Sequence, residues 1–314
     1  MNPSQVSVVV PTYRSLHLFR RTIASLELQE PKPDEFQVVA IDDGSGDETG
    51  EWLRGYNGPL NMTPLVLDEN LGRARVRNHA VKHTDRDILL FIDGDMAFGS
   101  DVVAKHAALH TGKKLAAMGR VIYEKKLRGS QFARYLETRG PLKLKPGDLL
   151  PGRYFLSGHV SMPRILFEEV GGFDSSFREY GGEDLDLGMR LVKTGAEIRL
   201  FPDIVTSHLH LRTLDNLLEG IYKYGLNNIP ILVHKHPELV SELRLNWPEA
   251  NGIEGLLRRL VISRIPYGII RALTLILNHL WVPDRMFDYL IFRNYNKGYR
   301  TSLKNVADLN TMES

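Results

Sequence analysis

The apolar run Ile88–Ile92, followed directly by Asp93-Gly94-Asp95, constrains the fold more than any other part of the chain. Five consecutive apolar residues are typical of a strand that is buried on both faces, as in a helix-covered parallel sheet. Such sheets place their ligand crevice at the carboxyl ends of the strands. Two carboxylates there indicate a hard divalent cation, Mg²⁺ or Mn²⁺, that is shared with substrate phosphates. The alternative is an ordinary turn in which Gly94 adopts a positive φ.

Strand and helix patterns alternate through the first part of the chain. The sequence predicts strands at residues 6–10, 36–41, 63–67 and 88–92, with a helix after the first and another at 73–82. This order implies right-handed βαβ units and a mostly parallel sheet with helices on both faces. A helix at 101–110, a strand at 116–123, a long loop or short helices at 124–155, a helix at 181–194 and strands at 198–201 and 204–209 are expected to follow.

Length and composition indicate a globular α/β protein with a helical extension. The 314 residues include 43% hydrophobic and 25% charged residues, which allows one domain with an appendage or two domains. We predict an α/β domain at 1–212 and a mostly helical region at 213–314. The net charge of +2 gives no general reason to expect nucleic acid as a partner. The absence of cysteine excludes thiolate chemistry and disulfides.

The acidic segment Asp42-Asp43-Gly44-Ser45-Gly46-Asp47 also follows a predicted strand. Its spacing does not match a dinucleotide-binding glycine pattern or an EF-hand, and the chain contains no P-loop. Its carboxylates therefore suit a base or ribose, unless they only form an acidic turn. Downstream, Arg73 and Arg77 share one helix face and are suited to a diphosphate. A solvated basic face is the alternative.

Paired glycines precede an acidic helix start in Gly181-Gly182-Glu183-Asp184. Glycine lets the backbone approach a ligand closely, and a carboxylate at a helix N-terminus stays ionised, as a general base must. The alternative is an N-terminal capping acid. His208 and His210 lie two apart on a predicted strand and face the same side, so either imidazole is a candidate to join Asp95 in a metal site. For each histidine alone, an ordinary core or surface role is the alternative.

In combination, these strings resemble the family 2 glycosyltransferases of the GT-A fold, in family order from residue 6 to about 210. The matching strings are Val6-Ser-Val-Val-Val-Pro-Thr-Tyr13, Val39-Ala-Ile-Asp-Asp-Gly-Ser45, Asn70-Leu-Gly72, Ala74-Arg-Val-Arg-Asn78, Phe91-Ile-Asp-Gly-Asp95, Ser157-Gly-His-Val-Ser161, Gly171-Gly-Phe-Asp174 and Gly182-Glu-Asp-Leu-Asp-Leu-Gly-Met-Arg-Leu191.

The resemblance implies a metal-dependent hexosyl transfer from a nucleotide-sugar, commonly a UDP-sugar, to an acceptor hydroxyl on a glycan, a lipid-linked group or a small molecule. It implies inversion, a Mn²⁺ or Mg²⁺ cofactor and a place in polysaccharide or glycoconjugate biosynthesis. By position, the donor site comprises Pro11, Tyr13, Asp43, Arg73, Arg77, Asp93 and Asp95. Asp184 matches the catalytic base. Asp95 and His208 match metal ligands, and His210 is the alternative to His208 as a ligand. Gly182 and Glu183 are expected to lie near the donor sugar or the acceptor. His159 replaces a frequent Asn and is expected to contact the donor sugar or acceptor.

Two other functions fit parts of the pattern. A sugar-phosphate nucleotidyltransferase would ordinarily carry a glycine-rich phosphate loop after its first strand, where this chain has Pro11-Thr12-Tyr13. A nucleotide-sugar-binding protein without catalysis is the non-enzymatic alternative, and retention of Asp95, Asp184 and His208 argues against it.

The predicted helical region contains an apolar segment at 256–281 that is interrupted by arginines and Pro266. It is suited to a peripheral membrane contact, or to packing on the first domain or in a homodimer. Residues 1–5 lack a signal-peptide pattern, and no run reaches the roughly 18 apolar residues of a spanning helix. We therefore expect a cytoplasmic protein, with peripheral contact at the inner face of the membrane as an option.

Overall fold

A computed structural model describes residues 3–30, 32, 34–140 and 147–312. The first two residues of the segment considered for a signal peptide, and residues 141–146 of the predicted loop at 124–155, lie outside the described residues. The chain divides into two compact units. The first comprises residues 1–124, 137–178 and 183–211, and the second comprises 125–136, 179–182 and 212–314. Residues 125–136 and 179–182, which the sequence-based division assigned to the first domain, thus group with the helical unit.

The first unit is built on a mixed sheet. Its strands are β1 (Val6–Thr12), β2 (Gln37–Asp42), β3 (Asn61–Val66), β4 (Ile88–Ile92), β5 (Met96–Phe98), β6 (Leu115–Tyr123), β7 (His159–Pro163) and β8 (Glu197–His208). Their spatial order is β3-β2-β1-β4-β7-β6-β8-β5. The pairs β1–β2, β1–β4, β2–β3 and β6–β8 are parallel. The pairs β4–β7, β6–β7 and β5–β8 are antiparallel.

Helices cover both faces of this sheet and form most of the second unit. In chain order they are α1 (Leu16–Glu27), α2 (Thr49–Arg54), α3 (Arg73–Val81), α4 (Val102–Leu109), α5 (Gln131–Thr138), α6 (Arg164–Glu169), α7 (Glu183–Lys193), α8 (Leu214–Lys223), α9 (Ile229–Lys235), α10 (Leu239–Glu242), α11 (Gly252–Val261), α12 (Arg264–Leu277) and α13 (Asp284–Met312). The predicted helical character of the C-terminal region is confirmed.

The apolar run in β4 is buried on both sides, as predicted. Leu89 and Phe91 belong to one core layer, beneath α3, α6 and α7, whereas Leu90 and Ile92 belong to the opposite layer, beneath α1 and α4. Side chains alternate between the faces of a strand, so a strand between two helical layers must be apolar throughout. This arrangement fixes the end of β4, and with it the position of Asp93.

Three features of the sheet differ from the sequence-based prediction. The short strand β5 was not predicted, because three residues are too few to show a strand pattern. β7 was not predicted, because its alternating His159, Ser161 and buried apolar residues do not form an apolar run. β8 was predicted as two strands separated near Pro202, but it is one strand with an irregularity. The register to β6 shifts there, from Gly119 paired with Phe201 to Arg120 paired with Val205. Pro202 has no N–H for a ladder hydrogen bond, which explains a bulge at this place.

In the described part of the chain, no single helix is long and apolar enough to cross a membrane. α11 and α12, which are bent by 42° at their junction, reach the required length and apolar character only as a pair.

Candidate functional site

Asp93-Gly94-Asp95 forms the tight connection between β4 and β5. Gly94 packs against the next strand: a Cβ atom there would lie 2.5 Å from the Pro11 carbonyl oxygen and 3.1 Å from the Phe19 ring. A larger residue would therefore push the connection away from β1. The lack of a side chain at position 94 lets the connection lie against Pro11, one of the residues predicted to contact the donor.

Asp93 is paired with a buried arginine. Nη2 of Arg77 lies 2.5 Å from Oδ1 of Asp93, and Arg77 is 3% exposed. Nη1 of Arg77 donates to the Arg73 carbonyl oxygen one helical turn earlier, at 3.1 Å. Loss of solvent alone would raise the pKa of Asp93, but Arg77, Arg73 and His208 together hold it below its ordinary value. Asp93 is therefore held as a carboxylate.

Asp95 faces His208 across the β5–β8 pair. The Leu209 N–H donates to the Asp95 carbonyl oxygen at 2.8 Å, and Nε2 of His208 lies 3.7 Å from Oδ2 of Asp95. The His208 ring packs on Tyr123, with centroids 5.5 Å apart. The backbone N–H of His210 donates to Nδ1 of His208 at 3.3 Å, so Nε2 is the nitrogen that faces the carboxylate. Burial raises the pKa of Asp95, whereas His208 opposes that rise.

Asp95 and His208 offer two candidate ligands for a divalent cation. Oδ2 of Asp95 and Nε2 of His208 converge at 3.7 Å, which is too long for a hydrogen bond between them. Within residues that the structure describes, no group of three or more His, Asp or Glu side chains is arranged to hold a metal. Mg²⁺ often takes only one or two protein carboxylates and completes its shell with phosphates and water, so Asp95 fits such a role. The His208 imidazole would add a nitrogen ligand, which suits Mn²⁺ better than Mg²⁺.

Glu183 and Asp184 lie in the first turn of α7. Glu183 is 3% exposed, and burial, followed by the charge of Asp184, raises its pKa to about 7. Burial also raises the pKa of Asp184, against the opposing effects of Arg77 and of hydrogen bonds from Ser157. Oε2 of Glu183 and Oδ1 of Asp184 are buried and have no hydrogen-bond partner among the described residues.

The segment Ser157-Gly158 connects Asp184 to Asp93. The Asp93 N–H donates to the Gly158 carbonyl oxygen at 3.0 Å, while Ser157 hydrogen-bonds to Asp184 through its side chain and backbone. A Cβ atom on Gly158 would lie 2.7 Å from Oδ2 of Asp93, so glycine permits this approach. Arg77 influences the pKa values of Asp93, Glu183 and Asp184 alike. The structure thus brings the carboxylates of two distant sequence segments into one cluster.

Asp43 is 4% exposed and holds the loop before α3. Its carboxylate accepts hydrogen bonds from the Leu71 N–H at 2.7 Å, the Gly72 N–H at 3.1 Å and Nδ2 of Asn70 at 3.0 Å. Burial raises its pKa, and the two backbone N–H groups oppose that rise. Tyr13, just after β1, is 42% exposed.

His159 is not brought to the carboxylate cluster. Its ring is 2% exposed, and its Nε2 lies 3.0 Å from Nε2 of His106 and 3.3 Å from Oγ1 of Thr206. Burial lowers the pKa of His159 to about 3. Gly119 in β6 leaves room for the ring, which a Cβ atom there would meet. A sugar or acceptor contact by His159 stays a prediction. Gly182 precedes α7 with a φ of 101°, which favours glycine.

Three features of this region had no assigned role in the sequence analysis. Ser157, which hydrogen-bonds to Asp184, was part of a recognised string without a function. Asn70 likewise contacts both the carboxylate and the backbone carbonyl of Asp43. His106 and His110 each lie 2.7 Å from Oγ of Ser161, in a buried cluster that no sequence spacing indicated.

Comparison with known proteins identifies similar sequences. Residues 7–171, more than half of the chain, match a family model described as glycosyl transferase family 2. Residues 145–213 match a model described as the N-terminal domain of galactosyltransferase.

A validoxylamine A glucosyltransferase from Streptomyces hygroscopicus subsp. limoneus is 29% identical over 271 residues, covering 76% of this chain and 58% of that protein. The uncharacterized glycosyltransferase YfnE of Bacillus subtilis (strain 168) is 28% identical over 65% of this chain and 64% of its own length. The chain thus spans about three-fifths of these relatives.

Solved structures share the fold. The mannosyltransferase PcManGT from Pyrobaculum calidifontis, solved with GDP-Man and Mn²⁺, has a TM-score of 0.64 and 19% identity, covering 95% of this chain and 89% of that one. Residues 1–349 of S. aureus TarS, solved with UDP-GlcNAc, have a TM-score of 0.54 and 17% identity, covering 97% and 92%. These likenesses confirm the predicted GT-A-like α/β architecture with its helical C-terminal region.

Proposed function

Because this chain belongs to glycosyl transferase family 2, we propose that it transfers a hexose from a nucleotide-sugar to an acceptor hydroxyl. We further propose UDP as the nucleotide and inversion at the anomeric carbon. The observation that carries the proposal is the cluster in which Arg77 pairs with Asp93 and also affects the pKa values of Glu183 and Asp184. Asp95 and His208 interact electrostatically with Asp93 in the same cluster. Neighbouring solved structures contain UDP-GlcNAc or GDP-Man, which supports a nucleotide-sugar donor of one of these kinds.

In this proposal, the donor lies along the carboxyl ends of β1, β2 and β4. Pro11 and the exposed Tyr13 contact the base and ribose, and Asp43 shapes that site by holding the loop before α3. Arg77 is committed to Asp93, so Arg73, which is exposed at the start of α3, approaches the diphosphate. Its planar guanidinium suits the two phosphates. Asp93, held ionised, accepts hydrogen bonds from the ribose or donor sugar.

A divalent cation, Mn²⁺ or Mg²⁺, would be held by Asp95 and His208, with the donor diphosphate completing its shell. When bound, such an ion neutralises the negative charge that develops on the departing nucleoside diphosphate. For His208 to bind through Nε2, its proton must lie on Nδ1, so the present hydrogen bond from the His210 N–H would have to open.

Asp184 is proposed as the general base. Its unpartnered Oδ1 accepts the proton of the acceptor hydroxyl as that oxygen attacks the anomeric carbon from the side opposite the diphosphate. The bond from the anomeric carbon to the diphosphate oxygen breaks in the same displacement, which inverts the configuration. Ser157 orients the carboxylate through its hydrogen bonds. Glu183 and Gly182 lie next to the base and help to shape the acceptor site.

Replacing the proposed base tests this function. Asp184→Asn keeps the shape of the side chain but removes the proton acceptor, so turnover should fall by about 10²–10⁴. Donor binding, measured calorimetrically with UDP-sugars in the presence of Mn²⁺, should stay within about twofold. Asp203→Asn is the matched control, because Asp203 is exposed in β8 and its turnover should equal that of the original protein.

The alternatives give different results. Unchanged turnover in Asp184→Asn would refute the base assignment while leaving the transferase proposal intact. Formation of a nucleotide-sugar from a sugar phosphate and UTP, without transfer to any hydroxyl acceptor, would favour a nucleotidyltransferase. Donor binding without transfer to any of a panel of glycan, lipid-linked and small-molecule acceptors would favour a non-catalytic binding protein.

A further inference from the structure

The helices α11 and α12 of the second unit expose apolar side chains that soluble proteins usually bury. Only Gly255 is buried in α11 and only Thr274 in α12. Ile265, Ile276 and Trp281 are exposed by 76%, 72% and 67%. Isolated exposed apolar residues are common, but a contiguous set marks an interaction surface.

The exposed residues follow helical spacing. In α11 they recur at three- and four-residue intervals, as do those in α12, and each set therefore forms one stripe. The stripes contain Ile253, Leu256 and Leu260 in α11 and Ile265, Ile269, Leu273 and Ile276 in α12. An amphipathic helix in a globular protein packs such a stripe against the core. The stripes of α11 and α12 are exposed instead, so they are suited to contact a nonpolar environment or another molecule.

A strongly basic cavity lies beside the junction of the two helices. Its volume is about 440 Å³, and it is lined by residues of α11, α12 and α13. Six of its lining side chains are cationic and none is acidic: Arg259, Arg264, Arg293, Lys297, Arg300 and Lys304. Arg293 is only 9% exposed; its guanidinium lies 4.1 Å from the Tyr267 ring centroid, and its Nε donates to the Ile262 carbonyl oxygen at 3.4 Å.

Like charges at this density repel one another unless an anion joins them. A phosphate group is the anion that arginine and lysine recognise best, through charge and directed hydrogen bonds. We propose that α11 and α12 dock on the surface of a lipid bilayer, and that the cavity binds the phosphate headgroup of an anionic phospholipid. The apolar stripes then enter the boundary of the acyl chains while the arginines remain at headgroup level.

The geometry favours a bilayer surface over a membrane span. The ten residues of α11 and fourteen of α12 are about 15 Å and 21 Å long, each shorter than the roughly 30 Å hydrocarbon core. Together they reach that length, but a span would then place Arg258, Arg259 and Arg264 and a 42° bend inside the hydrocarbon. It also favours a bilayer over a second copy of this chain. A two-fold contact presents the same patch from both copies, so it would bring two cationic cavities together, and no acidic side chain lines either of them.

Flotation of the full chain with vesicles tests the proposal. The protein should float with vesicles of phosphatidylcholine and phosphatidylglycerol, and much less with phosphatidylcholine alone. The double variant Arg300→Glu, Lys304→Glu should weaken binding to the anionic vesicles by at least about tenfold. The double variant Ile265→Asp, Ile276→Asp should abolish flotation, because charged residues do not enter the apolar boundary.

Matched controls come from the first unit. Lys82→Glu, Lys113→Glu changes the same number of charges at exposed positions, and Ile165→Asp changes an isoleucine that is also 76% exposed. Both should float like the original protein, and all variants should retain its thermal unfolding midpoint. Flotation that is equal with neutral and anionic vesicles, or unaffected by Arg300→Glu, Lys304→Glu, would overturn the headgroup site.

Two further outcomes would also overturn the proposal. One is a dimer in sedimentation equilibrium that Ile265→Asp, Ile276→Asp dissociates while the original protein does not float, since a second copy would then cover the stripes. The other is binding of inorganic phosphate, lost in Arg300→Glu, Lys304→Glu, without any flotation. In that case a free phosphate, and not a lipid, would occupy the cavity.

Discussion

The positive charge of Arg77 affects the pKa values of several carboxyl groups in the candidate site. A guanidinium that is 3% exposed must be paired, and it is paired with Asp93 at 2.5 Å. The same positive charge opposes the rise in the pKa values of Glu183 and Asp184. As a result, the pKa of Asp93 is held low, whereas burial raises the pKa of Asp184 and brings that of Glu183 to about 7. Carboxyls whose environments separate their pKa values can take different chemical roles.

The acid side of the activity profile follows from these carboxyls. If Asp184 is the base, it must be ionised, and burial raises its pKa above the ordinary value. Burial also raises the pKa of its neighbour Glu183, to about 7. We therefore expect kcat/KM to fall on the acid side at a pH above the range of an ordinary carboxyl, because Asp184 becomes protonated there. Glu183→Gln removes the adjacent negative charge, so the acid limb should move to lower pH.

As the pH rises, the contribution of Glu183 to stability should fall while activity rises. The two effects of pH can therefore be distinguished. In the unfolded chain Glu183 has its ordinary pKa of 4.5, so between pH 4.5 and about 7 the folded protein binds more protons than the unfolded chain. The free energy of unfolding contributed by this group therefore decreases as the pH rises through that window. An acid limb that stays in place in Glu183→Gln would contradict the coupling of the two carboxyls.

At the scale of the elements, the start of α3 is set by a contact from β2. α3 begins after Gly72, and no side chain of its own caps it. Asp43, immediately after β2, instead accepts hydrogen bonds from the backbone N–H groups of Leu71 and Gly72. The helix that carries Arg73 and Arg77 is thereby held against the carboxyl end of the sheet.

Asp43→Ala should destabilise the first unit. The change leaves the N–H groups of Leu71 and Gly72 without their acceptor, at a cost of about 1–3 kcal/mol for each group that stays buried. The expected result is a free energy of unfolding lower by roughly 2–4 kcal/mol in urea denaturation. Asp68→Ala, at an exposed position in the same region, is the control and should change stability by less than about 0.5 kcal/mol. Equal stability of the two variants would show that water replaces the Asp43 carboxylate.

The elements that the sequence predicted well are those with strong local patterns. The β4 run and the Glu183 helix were predicted within two residues of their observed bounds, because apolar continuity and an acidic first turn are local signals. β7 was missed, since its His159 and Ser161 side chains are buried by pairing with His106 and His110. Such pairing depends on contacts across about fifty residues of sequence, which periodicity does not reveal.

Convergence of the site was predictable only through the recognised family order, which the match over residues 7–171 confirms. Spacing alone left Asp43, Arg77 and Asp184 with alternatives. The structure adds the buried Arg77–Asp93 pair and the Ser157 contact to Asp184, neither of which follows from local sequence. The individual roles of these residues stay predictions that the variants described here test.

At the scale of the whole molecule, ligand binding should appear as a change in stability. A ligand that binds only the folded state raises the free energy of unfolding, by about 2.7 kcal/mol at a hundred times its dissociation constant. For a unit of this size, this corresponds to a rise of roughly 5–11 °C in the unfolding midpoint. UDP with Mn²⁺ should raise the unfolding midpoint by such an amount. UDP with a chelator should raise it clearly less, because Asp95 and His208 would hold the cation against the diphosphate.

Variants at the two proposed ligands assign the metal-dependent part of that shift. Asp95→Asn and His208→Ala should each remove most of the difference between Mn²⁺ and chelator, while His210→Ala should keep it. His210 contacts His208 only through its backbone N–H, which alanine retains, so its own side chain is not needed to orient the ring. A difference that survives in His208→Ala but disappears in His210→Ala would exchange the assignments of the two histidines. A shift that is equal with Mn²⁺ and chelator in the original protein would instead indicate that the arginines of α3 alone stabilise the diphosphate.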